Sequence, residues 1–355
     1  MGILRKLAVV PLTSIVRKFL LPVGLVLATL SFCSRSDLDL EQYVIRGSTM
    51  GTSYTVKIVK PEGSPFDQTL LANEIDSLLQ DVNQIMSTYI DNSELSQLNA
   101  APAGEWIPLS DDLYQVLHVA QTLSEKSGGA FDITIGPLVN LWGFGPEHNQ
   151  SDIPPDEDIA ERQQRIGFEH IELREQPPAI RKNREKMYID LSAIAKGWGV
   201  DQVAEYIEAA THFNYLVEIG GEIRARGVNA KNQPWRIGVS SPDTQFLVQK
   251  VIDVQDRGVA TSGDYRNYFE KDGVRYSHTI DPRTGRPISH NLVSVTVVHP
   301  QCMMADAYAT TIDVMGPDSG LELAEQENLP VFLIVKTDDG FEEQMTSSFK
   351  HLIQR

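Results

Sequence analysis

The densest set of groups that could do chemistry lies near the C-terminal end, in Ala305-Asp306-Ala307-Tyr308-Ala309-Thr310-Thr311-Ile312-Asp313. On a helix Asp306, Thr310 and Asp313 fall at i, i+4 and i+7 and share one face. A carboxylate beside a hydroxyl is a hard oxygen pair of the kind Mg²⁺ prefers, and the small alanines between them leave room for a ligand. A helix capped by acidic residues in its first turn reads the same way. A second segment, Asp190-Leu191-Ser192-Ala193-Ile194-Ala195-Lys196-Gly197, crosses from a strand to a helix. Such a junction offers free backbone groups to an anion, although capping with an ordinary ion pair also explains it.

Three further segments are rich in Gly, Asp or hydroxyl groups. Gly47-Ser48-Thr49-Met50-Gly51-Thr52 interrupts a strand pattern, as a ligand-approach loop or as a simple bulge. Gly128-Gly129-Ala130-Phe131-Asp132-Ile133-Thr134-Ile135-Gly136-Pro137-Leu138 reads as a helix stop followed by an apolar strand. Asp132 is its odd member, because a carboxylate between Phe131 and Ile133 needs a partner once buried. Ser277-His278-Thr279-Ile280-Asp281-Pro282-Arg283-Thr284-Gly285 carries a histidine just before a turn, where a structural role is the commoner one. There is no nucleophile elbow, P-loop, paired C-x-x-C, H-E-x-x-H or strand-linked G-x-G-x-x-G.

The elements that must position these residues follow from periodicity. Apolar spacing predicts helices over 66–86, 111–126, 195–210, 304–315 and 318–327, with Asp111 capping the second. Strands are expected around the 47–52 interruption, at 168–173 and 180–190, and repeatedly from 214 to 346; the stretch 143–155 reads as a loop. Strand runs broken by helices, without regular βαβ alternation, give an α+β fold. No linker divides the chain, so one two-lobed domain over 43–350 is expected, preceded by a leader over 1–33 and a polar linker over 34–42.

The 355 residues carry a formal charge of −17. Arg5, Lys6, Arg17 and Lys18 give the first 33 residues +4, so the remainder carries −21. A body this acidic repels nucleic acid, and a phosphate ligand needs a local metal or backbone N–H groups. The leader has a basic start and an apolar run from Phe19 to Phe32 that is short of the ~20 residues needed to span a bilayer. It reads as an export signal. Cys33 ends it within Leu30-Ser31-Phe32-Cys33, which resembles a lipidation site except at Phe32; an uncleaved anchor is the other reading. Cys302, the only other cysteine, reads as a buried apolar residue.

Taken together and in this order, the five segments resemble the ApbE family of FAD:protein FMN transferases, over about 43–346. Met86-Ser87-Thr88-Tyr89 and Ser93-Glu94-Leu95-Ser96-Gln97-Leu98-Asn99 also fit the family pattern. The resemblance implies a cleft between lobes, with FAD contacts from Met50, Tyr89, Ala130, Phe131, Asp132, Asp190, Lys196 and Ile280. It implies Mg²⁺ held by the Ala193 carbonyl, Asp306, Thr310 and FAD phosphates. His278 is the candidate for proton transfer, as the only histidine in a matching segment. The implied reaction moves FMN from FAD to a Thr or Ser hydroxyl of an acceptor flavoprotein and releases AMP. Acceptors of the family are subunits of sodium-pumping quinone reductases and related membrane complexes, and most members are lipoproteins on the periplasmic side of the inner membrane. The alternatives are a Mg²⁺-dependent FAD pyrophosphatase, a non-catalytic FAD-binding lipoprotein and a ligand-free envelope lipoprotein. Hydrolytic members tend to carry Asn at the position of Tyr89, so tyrosine favours transfer.

Overall fold

The computed structural model describes residues 39–146, 153–240, 248–263, 268–271 and 274–353. The expected leader, with Phe32 and Cys33, lies outside them. The described residues, from Asp39 on, belong to one compact unit. Nine helices occur among the described residues: α1 (Gln68–Met86), α2 (Glu94–Ala100), α3 (Asp111–Lys126), α4 (Gly136–Leu141), α5 (Asp156–Gln163), α6 (Ala195–Ala209), α7 (Cys302–Met315), α8 (Pro317–Gln326) and α9 (Ser347–Lys350).

Eight strands form the central sheet. Across it they run 40–49, 52–61, 215–219, 222–226, 257–263, 292–299, 331–337 and 340–345, and every neighbouring pair is antiparallel. The first strand starts at Leu40, inside the polar stretch expected to be a linker. Period-two alternation directs Tyr215, Val217 and Ile219 to one face and Leu216 to the other. The first face packs under α1 and α6, while α7 covers the strands 257–263 and 292–299. The opposite face is closed by the hairpin of 235–240 and 248–254 together with Phe349 of α9. Strand 292–299 is buried along nearly its whole length, because both faces are covered. A small sheet of 106–108, 179–182 and 171–174 sits apart from this one.

The α+β expectation holds, and differences are local. Ser110, in an extended conformation, caps α3 through its side chain at the Leu113 N–H, in place of Asp111. The predicted strand after Gly129 is instead a turn leading into α4. Asp132 accepts the Thr134 N–H at 2.8 Å and Pro137 occupies the first turn of α4, where its missing N–H costs nothing. Helix α5 starts just beyond the expected loop, and the strand foreseen over 180–190 stops at Lys182.

Candidate active site

Helices α6 and α7 cap each other. Neither first turn has a capping side chain of its own. Asp201 of α6 accepts the Cys302 and Met303 N–H groups at 3.0 and 2.9 Å, which satisfies the start of α7. Asp306 of α7 accepts the Gly197 N–H through Oδ2 at 3.0 Å, which satisfies the start of α6. Arg224 holds Asp201 at 2.8 Å from the adjoining strand. The helix start lies two residues earlier than periodicity predicted, because Asp201 supplies the cap from another helix.

This exchange builds the site. The Gly197 N–H, which a longer helix would turn back to the Ala193 carbonyl, is taken by Asp306. Among the described residues the Ala193 carbonyl accepts no hydrogen bond. It lies in the same short segment that Asp306 contacts. Thr310 follows Asp306 by one turn on α7 and is half-buried. One buried carboxylate, one spare carbonyl and one hydroxyl are hard oxygen donors. Among the described residues there is no cluster of three His, Cys, Asp or Glu side chains that could cage a metal. Hard oxygen donors of this kind fit a Mg²⁺ ion with coordination positions left open to other ligands.

Lys196 lies between two carboxylates, with Nζ 2.8 Å from Glu222 Oε1 and 3.7 Å from Asp306 Oδ1. Burial works against its charge, but Asp306 and Glu222 outweigh burial and raise its pKa above the ordinary lysine value. Burial pushes Glu222 upward, and Asp306 adds to that rise while Lys196 opposes it. Glu222 follows the Gly220-Gly221 turn that joins strands 215–219 and 222–226. Nothing local in the sequence marks it beyond an acidic residue behind a Gly-Gly turn.

Lys196 opens onto a pocket of about 140 Å³. The end of α1 contributes Val82, Asn83 and Met86 to its lining, Met50 and Tyr89 flank it, and Asp190 and Ser192 form the wall beside Lys196. Met50 occupies the tight turn of the first hairpin with φ of 49°, and its Cε methyl fills the space left by Gly199. Tyr89 is 65% exposed, although its ring lines the pocket. Asp190 accepts the Ser192 N–H at 2.8 Å and is buried.

Four of the eight proposed FAD contacts, Met50, Tyr89, Asp190 and Lys196, thus line one pocket. Ala130, Phe131 and Asp132 are buried beside it, not in its wall. The two segments are joined by the Asp190 N–H donating to the Ile133 carbonyl at 2.8 Å. Asp132 also accepts the Phe168 N–H at 3.0 Å, and burial raises its pKa despite these bonds. Ile280 belongs to a separate apolar cluster with Leu138, Trp142 and Ile159. His278 is half-buried and meets Phe144 edge-on at 6.3 Å, outside the pocket wall. Its neighbour Thr279 donates to Asp313 at 3.3 Å. Asp313 is seven residues beyond Asp306, about 10 Å along α7. The histidine segment therefore leans on the same helix two turns away.

The ApbE family pattern matches residues 50–333. A FAD:protein FMN transferase of Vibrio cholerae is 47% identical over 330 residues, covering 93% of this chain and 98% of that one. The solved structure of flavin transferase ApbE from Vibrio cholerae matches with a TM-score of 0.83, over 88% of this chain and 99% of that one, at 47% identity. The apo flavinyl transferase ApbE of Pseudomonas stutzeri, 38% identical, matches with a TM-score of 0.81 over 88% and 97% of the two chains. On sequence and fold together, this chain belongs to the ApbE family.

Proposed function

We propose that the chain transfers the FMN half of FAD to a Thr or Ser hydroxyl of an acceptor flavoprotein, with release of AMP. The observation that carries this reading is the meeting of the Asp306 carboxylate with the start of α6, beside Lys196 and an open pocket. A Mg²⁺ ion held by Asp306, the Ala193 carbonyl and Thr310 would neutralise the diphosphate and stabilise the departing AMP. The Lys196 ammonium supplies a second positive charge at the same place. Met50 and Tyr89 offer the apolar surface that a flavin or adenine ring needs, and the exposed side of Tyr89 leaves the acceptor a route of approach.

The acceptor oxygen bonds to the phosphorus on the FMN side, and the bridging P–O bond to AMP breaks. The hydroxyl proton must leave as that bond forms, and His278 is the group proposed to receive it. Near-normal transfer by His278→Ala with intact FAD binding would remove that role. Incubation of the protein with FAD and a flavoprotein acceptor, with and without Mg²⁺, tests the whole reading. Covalent fluorescent flavin on the acceptor, formed only with Mg²⁺, is expected. Release of AMP at the same rate without acceptor would make the protein a pyrophosphatase instead. Bound FAD unchanged by Mg²⁺ and acceptor would make it a carrier.

The reading extends to place and partners. Export through the leader, lipidation at Cys33 and residence on the periplasmic side of the inner membrane would bring the enzyme to quinone-reductase subunits as acceptors. Among the described residues no helix is long and apolar enough to cross a membrane. The intact mass of protein extracted from membranes checks lipidation, since an unmodified, uncleaved N-terminus would exclude it.

A further inference from the structure

The carboxylate of Asp306 has two oxygens with different duties. Oδ2 is occupied by the Gly197 N–H at 3.0 Å. Oδ1 faces the Lys196 ammonium at 3.7 Å, beyond hydrogen-bond length. A divalent ion at Asp306 and the ammonium of Lys196 therefore compete for Oδ1. What holds the ammonium back is Glu222, which takes it at 2.8 Å. Glu222 is 4% exposed and stands at the head of a central strand, so its backbone cannot follow the lysine. Its other oxygen, Oε2, is buried with no hydrogen-bond partner among the described residues. Among the described residues Lys196 is thus the one side chain that binds this carboxylate, and each secures the other.

We propose that Glu222 is a positioning residue that draws the Lys196 ammonium away from Asp306 and so keeps Asp306 Oδ1 available to a divalent cation. The inference rests on the reading of Asp306 as a cation ligand and adds a residue to that site. Without Glu222, the ammonium has one carboxylate left and closes onto it. A cation must then displace a charge-assisted hydrogen bond in a buried place, where such bonds are strong.

The test is binding of Mn²⁺ alone, without FAD, followed by the EPR signal of free Mn²⁺ across four variants. Glu222→Gln should weaken Mn²⁺ binding roughly tenfold or more, the usual worth of a hydrogen bond to a charged group. Glu222→Asp keeps the charge but is one methylene shorter, and it should weaken binding in the same direction. Lys196→Met alone should not weaken Mn²⁺ binding, because its ammonium is already held off Oδ1 and otherwise only repels the ion. Lys196→Met added to Glu222→Gln should restore the wild-type affinity. Thermal unfolding followed by circular dichroism verifies that each variant is folded. Unchanged affinity in a folded Glu222→Asp protein would overturn the inference, as would effects of the two substitutions that simply add, since loss of one negative charge predicts additivity. Wild-type protein that binds no Mn²⁺ would remove the cation reading itself, a result distinct from either of these.

Discussion

The two ends of the candidate site are built on opposite terms. At the α6–α7 junction, Asp201, Lys196, Glu222 and Asp306 are tied to backbone N–H groups or to one another. Nothing there can move without stranding a buried charge. At the pocket mouth, Met50 and Tyr89 make apolar surface, and the tyrosine ring stands largely in solvent. The first end suits a phosphate and a metal, whose charges tolerate little misplacement. The second suits a flat ring that must be admitted, and an acceptor protein that must approach. Charge chemistry is fixed in advance here, while recognition is left adaptable.

Substitutions can break this contrast, beginning with the largest effect. Asp306→Asn retains an acceptor for the Gly197 N–H and deletes the charge. Turnover of FAD with acceptor should fall about 10²–10³-fold, the usual loss when one preorganised electrostatic group is removed. Retained turnover in the variant would place the chemistry elsewhere. Asp201→Ala should destabilise the fold by roughly 3 kcal/mol, because the buried N–H groups of Cys302 and Met303 lose their acceptor and Arg224 keeps only longer contacts with acidic groups, the nearest being Glu208 at 3.4 Å. Chemical denaturation measures this, and a loss under 1 kcal/mol would mean that the two helices do not depend on their mutual caps.

Smaller effects belong to the substrate. Lys196→Met should raise the KM for FAD about tenfold, through loss of a charge-assisted contact with phosphate. A change confined to kcat would assign the lysine to the transition state alone. Tyr89→Ala should raise the KM for FAD only severalfold, within the ~0.5–1.5 kcal/mol typical of aromatic stacking, and leave the unfolding temperature unchanged. A larger fall in stability would show that the ring is part of the core after all.

The sequence carries the first end of this contrast poorly and its elements well. Helix α1 is legible because Leu71, Ile75, Leu79, Val82 and Met86 repeat at helical spacing and all are buried. Helix α6 is found within a residue of its expected ends for a related reason. The reciprocal caps were not legible, since Asp201 and Cys302 are 101 positions apart, and Gly197 and Asp306 are 109 apart. No local pattern encodes such a pairing. Glu222 escaped for the same reason, as its partner is Lys196, on a different element. The segment after Gly129 misled in another way. Phe131, Ile133 and Ile135 alternate with Asp132 and Thr134 as a strand would, yet the polar pair closes a turn upon itself. The family resemblance carried the pocket residues, and periodicity alone would not have grouped Met50 with Asp190.

One packing detail bears on how such an enzyme can move. A Cβ placed on Gly197 would lie 2.6 Å from the Cys302 carbonyl oxygen, and one on Gly258 would lie 2.6 Å from the Cys302 Cα. Two glycines from separate elements thus press bare backbone against the first residue of α7. With no side chain between the parts to absorb slack, this joint has almost no clearance. Backbone packing here seats the aspartate that faces α6, beside its hydrogen bond to Gly197. Room to adjust to a bound ring lies instead with the parts fitted to looser tolerance, at the rim where the tyrosine stands.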